Sequence, residues 1–216
     1  MLSITTKLIN SVCLLYSLVR KERVFSLKSD LGLVHVITGD GKGKTTTSLG
    51  IAFRAAGHNL KVAVIQFLKG GSYIGEYMAA QKFPNILWKQ FGKNCTYLDE
   101  RLDTPFECGS CRDCFLNDED AARSSREAIK FAKEITKSGE YDLIILDEAN
   151  VAVSYAFVQP KELIELIKNK NPKTELIITG RGAHEEVLKL ADYVSEVKKI
   201  KHPIDKGVYG RWGVEY

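Results

Sequence analysis

The stretch Leu33-Val34-His35-Val36-Ile37-Thr38-Gly39-Asp40-Gly41-Lys42-Gly43-Lys44-Thr45-Thr46 decides the fold. An apolar, β-branched run leads into closely spaced glycines, and Thr47-Ser48-Leu49-Gly50-Ile51-Ala52-Phe53-Arg54-Ala55-Ala56 follows with helical character. Glycines at 39, 41 and 43 let the backbone curl so that successive N–H groups face one point. The N-terminus of the following helix adds the positive end of its dipole. Lys44 supplies a mobile cation, and Thr45 a hydroxyl able to reach a phosphate-bound Mg²⁺. Such a nest holds polyphosphate, and the stretch implies binding of a nucleoside triphosphate.

The pattern departs from the usual G-x-x-x-x-G-K-[ST] at one place. Thr38 stands at the first glycine position and Gly39 comes one residue later. This marks a variant loop rather than that of an ordinary ATPase. A glycine- and lysine-rich surface turn is the alternative reading. It is disfavoured because Gly43-Lys44-Thr45 falls at the strand-to-helix junction where the motif requires it.

Further apolar runs follow at Val62-Ala63-Val64-Ile65, Leu143-Ile144-Ile145-Leu146 and Leu176-Ile177-Ile178-Thr179, with a weaker one at Ile86-Leu87-Trp88 and a last one at Tyr193-Val194-Ser195-Glu196-Val197. Helical patterns occupy 45–56, 119–137, 160–168 and 183–190. Non-alternating strands separated by helices predict an α/β fold with a mostly parallel sheet covered by helices on both faces. Its phosphate loop makes it P-loop NTPase-like, of the RecA-like kind. Ligands of such sheets bind beyond the C-terminal ends of the strands. Asp147-Glu148 closes one run there, a place for carboxylates that hold Mg²⁺, although acids at a helix N-terminus would also be at ease. Arg181, in Thr179-Gly180-Arg181-Gly182, could clamp a phosphate oxygen or be an ordinary surface arginine. Lys69, in Gln66-Phe67-Leu68-Lys69-Gly70-Gly71, is a further candidate cation for ATP, as is Arg54.

The length of 216 residues suits one domain with a proper core, and a net charge of +4 fits an anionic substrate without pointing to nucleic acid. Residues 1–30 read as an N-terminal extension, with Leu8, Val12, Leu15 and Val19 at helical spacing. That run is shorter than the roughly 20 residues a membrane span needs, and no A-x-A cleavage pattern follows it. An amphipathic helix packed on the domain is expected there; a membrane-surface anchor and an early start codon are the alternatives. A cytoplasmic protein is expected.

Together, Thr38–Thr46, Gln66-Phe67-Leu68-Lys69-Gly70, Leu146-Asp147-Glu148 and Ile178-Thr179-Gly180-Arg181-Gly182 resemble the phosphate-loop ATP:corrinoid adenosyltransferases. Lys201-His202-Pro203-Ile204-Asp205-Lys206-Gly207-Val208 and the closing Gly213-Val214-Glu215-Tyr216 extend the resemblance to about 33–216. It implies transfer of the 5′-deoxyadenosyl group of ATP to the Co(I) of a reduced corrinoid, with release of triphosphate. The corrinoid is cobalamin or its diamide precursor. An electron donor such as a flavoprotein and a homodimer are implied too. The expected ATP contacts are Gly39, Asp40, Gly41, Lys42, Gly43, Lys44, Thr45, Thr46, Arg54 and Lys69. Lys44, Thr45, Glu148 and Arg181 are the expected catalytic set, and Thr45, Asp147 and Glu148 the expected Mg²⁺ ligands. The corrinoid-facing set is Phe91, Cys95, Tyr97, Lys201 and His202, although runs such as that of Lys201 are mostly solvated faces and His202 reads more readily as a polar turn residue. The family often carries a Gly-Phe-Thr-Trp segment; Gly92-Lys93-Asn94-Cys95-Thr96-Tyr97 aligns there, with Cys95 for the phenylalanine and Tyr97 for the tryptophan.

Cys108-Gly109-Ser110-Cys111-Arg112-Asp113-Cys114 lies in a turn-rich insertion at about 92–118. With Cys95, these three thiols suffice for tetrahedral Zn²⁺ or an iron–sulfur cluster; unligated thiols are the other reading. Two alternatives to transferase activity stand: a nucleotide kinase or ATPase of the same fold, and an ATP-gated metal or redox sensor.

Overall fold

The computed structural model describes residues 30–71, 74–95, 97, 117–211 and 213–215. The N-terminal extension and Cys108, Cys111 and Cys114 lie outside the described residues. Six strands form one sheet: β1 (Val34–Thr38), β2 (Val62–Phe67), β3 (Ile86–Phe91), β4 (Leu143–Asp147), β5 (Glu175–Thr179) and β6 (Tyr193–Glu196), in the order β3-β2-β4-β5-β1-β6. Every pairing is parallel. The helices are α1 (Lys44–Gly57), α2 (Gly75–Ala80), α3 (Asp118–Ser138), α4 (Ala149–Ser154), α5 (Pro160–Asn169) and α6 (Glu185–Leu190), followed by a 3₁₀ turn at Pro203–Lys206.

The strands show why their runs lack polar alternation. On β2, Val62 and Val64 pack with Leu49, Ala52, Ala55 and Ala56 of α1, whereas Ala63, Ile65 and Phe67 pack with Ala128, Ile129 and Ala132 of α3. The side chains alternate between faces, but both faces are covered, so both parities must be apolar. The α/β, doubly covered parallel sheet is therefore as the apolar runs require.

Helix ends follow local chemistry. Asn117 caps α3 by accepting from the Asp120 N–H at 2.8 Å, and Gly139, at φ 72°, ends it in the left-handed conformation. Pro160 opens α5, where the Glu162 carboxylate accepts the Gln159 N–H at 3.0 Å. Two helices escaped sequence reading. α2 and α4 have six residues each, too few to show a period, and α4 is rich in β-branched valine. The helix expected at 183–190 begins later, at Glu185, because the His184 ring accepts the Glu186 N–H and caps it.

Register positions the site. Gln66 stands beside Asp147 across β2 and β4, and beside Gln90 across β2 and β3. Ile37 stands beside Thr179 across β1 and β5. The ends of β1, β2, β4 and β5 thus bring the phosphate loop, Gln66, Asp147 and Thr179 to one edge of the sheet. At the opposite pole, Glu175 accepts the N–H groups of Gly32 and Leu33 at 2.7 and 2.8 Å and bonds the His35 ring at 2.6 Å.

Candidate active site

Gly39 and Gly43 adopt φ of 100° and 114°, a backbone that only glycine takes without strain. Gly41 donates its N–H to the Val197 carbonyl at 2.7 Å, and a Cβ on Gly41 would stand 2.8 Å from the Lys198 backbone. The segment just beyond β6 is therefore the backstop of the phosphate loop. Thr38 explains the displaced glycine: it ends β1, and its hydroxyl accepts the Ala183 N–H at 3.4 Å, tying the loop to the turn after β5. α1 has no acidic residue in its first turn, which leaves its N-terminal field free for an anion.

Lys44 is 7% exposed and donates to the Gly41 carbonyl at 2.7 Å. Burial pushes its pKa below the usual lysine value; Glu148 and Asp40 oppose this, while Arg181 and Lys69 reinforce it. A charged Lys44 thus lacks a full counter-charge, and an anion held beside it would supply one.

Asp147 is completely buried and is the hub of the site. Its Oδ1 accepts from the hydroxyls of Thr45 at 2.8 Å and Thr179 at 2.7 Å. Its Oδ2 accepts from the Gln66 amide at 3.0 Å and the Lys69 ammonium at 2.9 Å. Burial alone would raise the Asp147 pKa, but the Lys69 charge and the bonds from Thr179, Lys69 and Thr45 outweigh it and hold the carboxyl below its ordinary value. Burial would likewise lower Lys69, yet Asp147 and then Glu148 draw its pKa upward. Both directions describe a charged pair. The Gln66 amide is oriented by its own oxygen, which accepts from the Trp88 indole at 3.1 Å and Gln90 at 2.9 Å.

Glu148 sits at φ 61°, an uncommon conformation for a residue with a side chain. Its N–H donates to the Thr179 hydroxyl at 3.1 Å, and its side chain lines the cavity while Asp147 stays inside. The turn after β5 works similarly. Gly180 and Gly182, at φ 126° and 66°, carry Arg181 to the cavity wall.

The cavity is about 910 Å³. It is lined by the loop residues 40–46, by Lys69 and Glu148, which lie 3.7 Å apart, and by Arg181 and His202. Trp88 also lines it, as do Tyr155 and Glu76, which sequence reasoning missed. That reasoning also left Gln66 and Thr179 without the role of holding Asp147. The tail returns to the loop: Glu215 lies 3.7 Å from Lys42 and receives a two-pronged bond from Arg211 at 3.0 and 3.1 Å. Those bonds lower the Glu215 pKa to about 2.

Of the other expected contacts, His202 lines the cavity and Arg54, Phe91, Cys95, Tyr97 and Lys201 do not. Arg54 is exposed in the last turn of α1. Helical rise carries it about 15 Å along the axis from Lys44, away from the phosphate end. Phe91 packs on Phe131 with ring centroids 5.8 Å apart, Cys95 is buried and Tyr97 is exposed; none of the three lines the cavity. Lys201 is exposed outside it, and His202 both lines the cavity and caps the 3₁₀ turn by accepting the Ile204 N–H at 3.1 Å. Among the described residues no cluster of histidine, cysteine and acidic side chains has metal-holding geometry, and no helix is long and apolar enough to cross a membrane.

The donor set fits magnesium. Thr45, Asp147 and Glu148 offer hard oxygens, and a positive charge already nests among them, the Lys69 ammonium.

Known proteins resemble the chain over most of its length. A Sinorhizobium corrinoid adenosyltransferase is 32% identical over 91% of this chain and 86% of its own length. The Escherichia coli K12 corrinoid adenosyltransferase is 33% identical over 90% of each, and the Salmonella typhimurium corrinoid adenosyltransferase CobA 30% identical over 90% of each. The family model for ATP:corrinoid adenosyltransferase BtuR/CobO/CobP matches residues 30–216, and the chain belongs to that family.

Proposed function

We propose that this protein transfers the 5′-deoxyadenosyl group of ATP to the cobalt of a reduced corrinoid and releases triphosphate. The observation that carries the proposal is the convergence of Lys44, Thr45, Asp147, Glu148 and Arg181 on one phosphate-loop site in a chain of this family. In the reaction, Co(I) gives an electron pair to the 5′ carbon, a cobalt–carbon bond forms, and the 5′ carbon–oxygen bond breaks with its electrons leaving on triphosphate. No proton moves, so no general base is needed, and among the described residues the site offers none of the usual nucleophile–base pairs.

The protein's work is electrostatic and positional. Loop amides and the α1 N-terminus hold the phosphates. Lys44, short of a counter-charge at rest, gains one as negative charge builds on the leaving triphosphate. Arg181, which also lines the cavity, offers a planar fork to the same oxygens. Mg²⁺, held by Thr45, Asp147 and Glu148, would supply further charge compensation to the triphosphate. Gln66 and Thr179 fix the Asp147 carboxylate so that it need not reorganise.

The finer features belong to the same proposal. The corrinoid is salvaged cobalamin or its diamide precursor, the enzyme is cytoplasmic and homodimeric, and a flavoprotein-type donor reduces the cobalt. Cys95 with Cys108, Cys111 and Cys114 binds Zn²⁺ or an iron–sulfur cluster, a point tested by the metal content of a variant lacking the last three.

The test is an anaerobic assay with Mg-ATP and chemically reduced cobalamin, following the visible spectrum. Formation of the adenosylated corrinoid, reduced at least about 100-fold by Lys44→Ala in a folded variant, supports the proposal. Tight ATP binding without cobalt–carbon bond formation, for cobalamin and for the diamide precursor, contradicts it.

A further inference from the structure

Lys69 occupies an unexpected place. Its ammonium lies 2.9 Å from Asp147 Oδ2, 3.3 Å from Thr45 Oγ1 and 3.7 Å from Glu148 Oε1. These three oxygens come from the end of β4, the start of α1 and the turn before α4, and they form the donor set that suits Mg²⁺. We propose that Lys69 is a built-in stand-in for the metal, which holds this donor set together in the nucleotide-free protein and must be displaced when metal-bearing ATP enters.

Charge and burial give the reason. Asp147 is fully buried, and an unpaired carboxylate there would be costly. Lys69 neutralises it while the site is empty. A divalent cation and an ammonium cannot share oxygens a few ångströms apart without strong repulsion. Metal alone therefore competes with Lys69 and binds poorly. Metal carried on ATP brings its own anion, and the displaced ammonium turns to the phosphates.

The local backbone makes this a side-chain movement. A Cβ on Gly70 would stand 2.4 Å from the Lys93 carbonyl, and one on Gly92 would stand 2.4 Å from the Lys69 backbone. The two strand exits thus cross backbone against backbone, and the chain at Lys69 is held. Leu68, at φ 60°, sets the direction of the next residue. The Lys69 side chain is one-third exposed and lines the cavity, so its flexible stem has space to swing from Asp147 towards a bound triphosphate.

The inference rests on the reading of Thr45, Asp147 and Glu148 as metal ligands, and its test separates the two. Mn²⁺ binding to the full chain is measured by the electron-spin-resonance signal of free Mn²⁺, with and without ATP and with no corrinoid present. Wild type is expected to bind Mn²⁺ weakly without ATP. Lys69→Met should bind it at least about tenfold more tightly, Lys69→Arg should behave as wild type, and adding Asp147→Asn to Lys69→Met should remove the gain. Mn²⁺ without ATP should also raise the melting temperature of Lys69→Met more than that of wild type. If Lys69→Met fails to fold, Lys69→Gln carries the same expectations, because it keeps a hydrogen bond to Asp147 without the charge. Metal affinity unchanged or lowered in the folded variant, with Mn²⁺–ATP still bound by wild type, overturns the stand-in role alone. Absence of Mn²⁺ binding by every form, with ATP and without, overturns the metal reading and the stand-in role together.

Discussion

At the residue scale the site turns on Asp147, whose two oxygens accept four hydrogen bonds from four different elements or turns. Removing its charge leaves the partly buried Lys69 with Glu148 at 3.7 Å as its remaining carboxylate partner and turns two hydroxyl donors towards a mixed amide. Asp147→Asn is expected to cost roughly 3–5 kcal/mol, the range for breaking a buried ion pair, read as a lowered denaturant midpoint. Unchanged stability would mean that the pair carries no net weight. Asp147 and Glu148 were legible in the sequence because an acidic pair ending an apolar run at a strand terminus has few explanations beside a phosphate loop. Thr179 and Gln66 were not legible as their supports. That role arises from register between β2, β4 and β5, separated by dozens of residues, and no local pattern encodes it. Arg54 misled for a related reason: it shares a helix with the loop, but helical rise takes it away from the phosphates.

Elements set the geometry of the loop, and here the glycines differ sharply. Gly41 is pressed on Val197 and Lys198 beyond β6, whereas Gly50, exposed within α1, has nothing within 4 Å of an added Cβ. Gly41→Ala should push the loop off its backstop and weaken Mg-ATP binding about tenfold or more, a loss of ~1.4 kcal/mol by titration calorimetry. Gly50→Ala should instead stabilise the protein by about 0.5–1 kcal/mol and leave ATP affinity unchanged, because alanine is the better helix former. Equal effects from both would sink this account of the loop. The longer elements were legible from apolar runs and helical spacing. α2 and α4 were hidden by their length, and α4 also because Glu148 enters it through a left-handed turn that sequence periodicity does not reveal. The C-terminal tail was legible only as a resemblance; its place against Lys42 is a product of the fold.

For the whole molecule, three carboxylates act at separate places: Asp147 at the site, Glu175 at the opposite pole and Glu215 in the tail. Burial would raise Glu175, but the His35 bond and the Gly32 and Leu33 amides hold its pKa below the ordinary value. All three are depressed in the folded state, so the stability they contribute is fully present above their unfolded values, about 4, and is lost as pH falls through the folded ones. Lys69 is raised, so its contribution is present below the ordinary lysine value and is lost only above it. The melting temperature is therefore expected to be nearly flat from about pH 5 to 8 and to fall steeply below about pH 4. A decline already under way near pH 6 would point to groups other than these.

The central claim is that ATP is cut at its 5′ carbon and not between its phosphates. Phosphorus NMR of an anaerobic single-turnover reaction with reduced corrinoid reads this directly. The account predicts intact triphosphate, formed one for one with adenosylated corrinoid. ADP and inorganic phosphate, with no cobalt–carbon bond, would contradict it and make the site that of a kinase or ATPase.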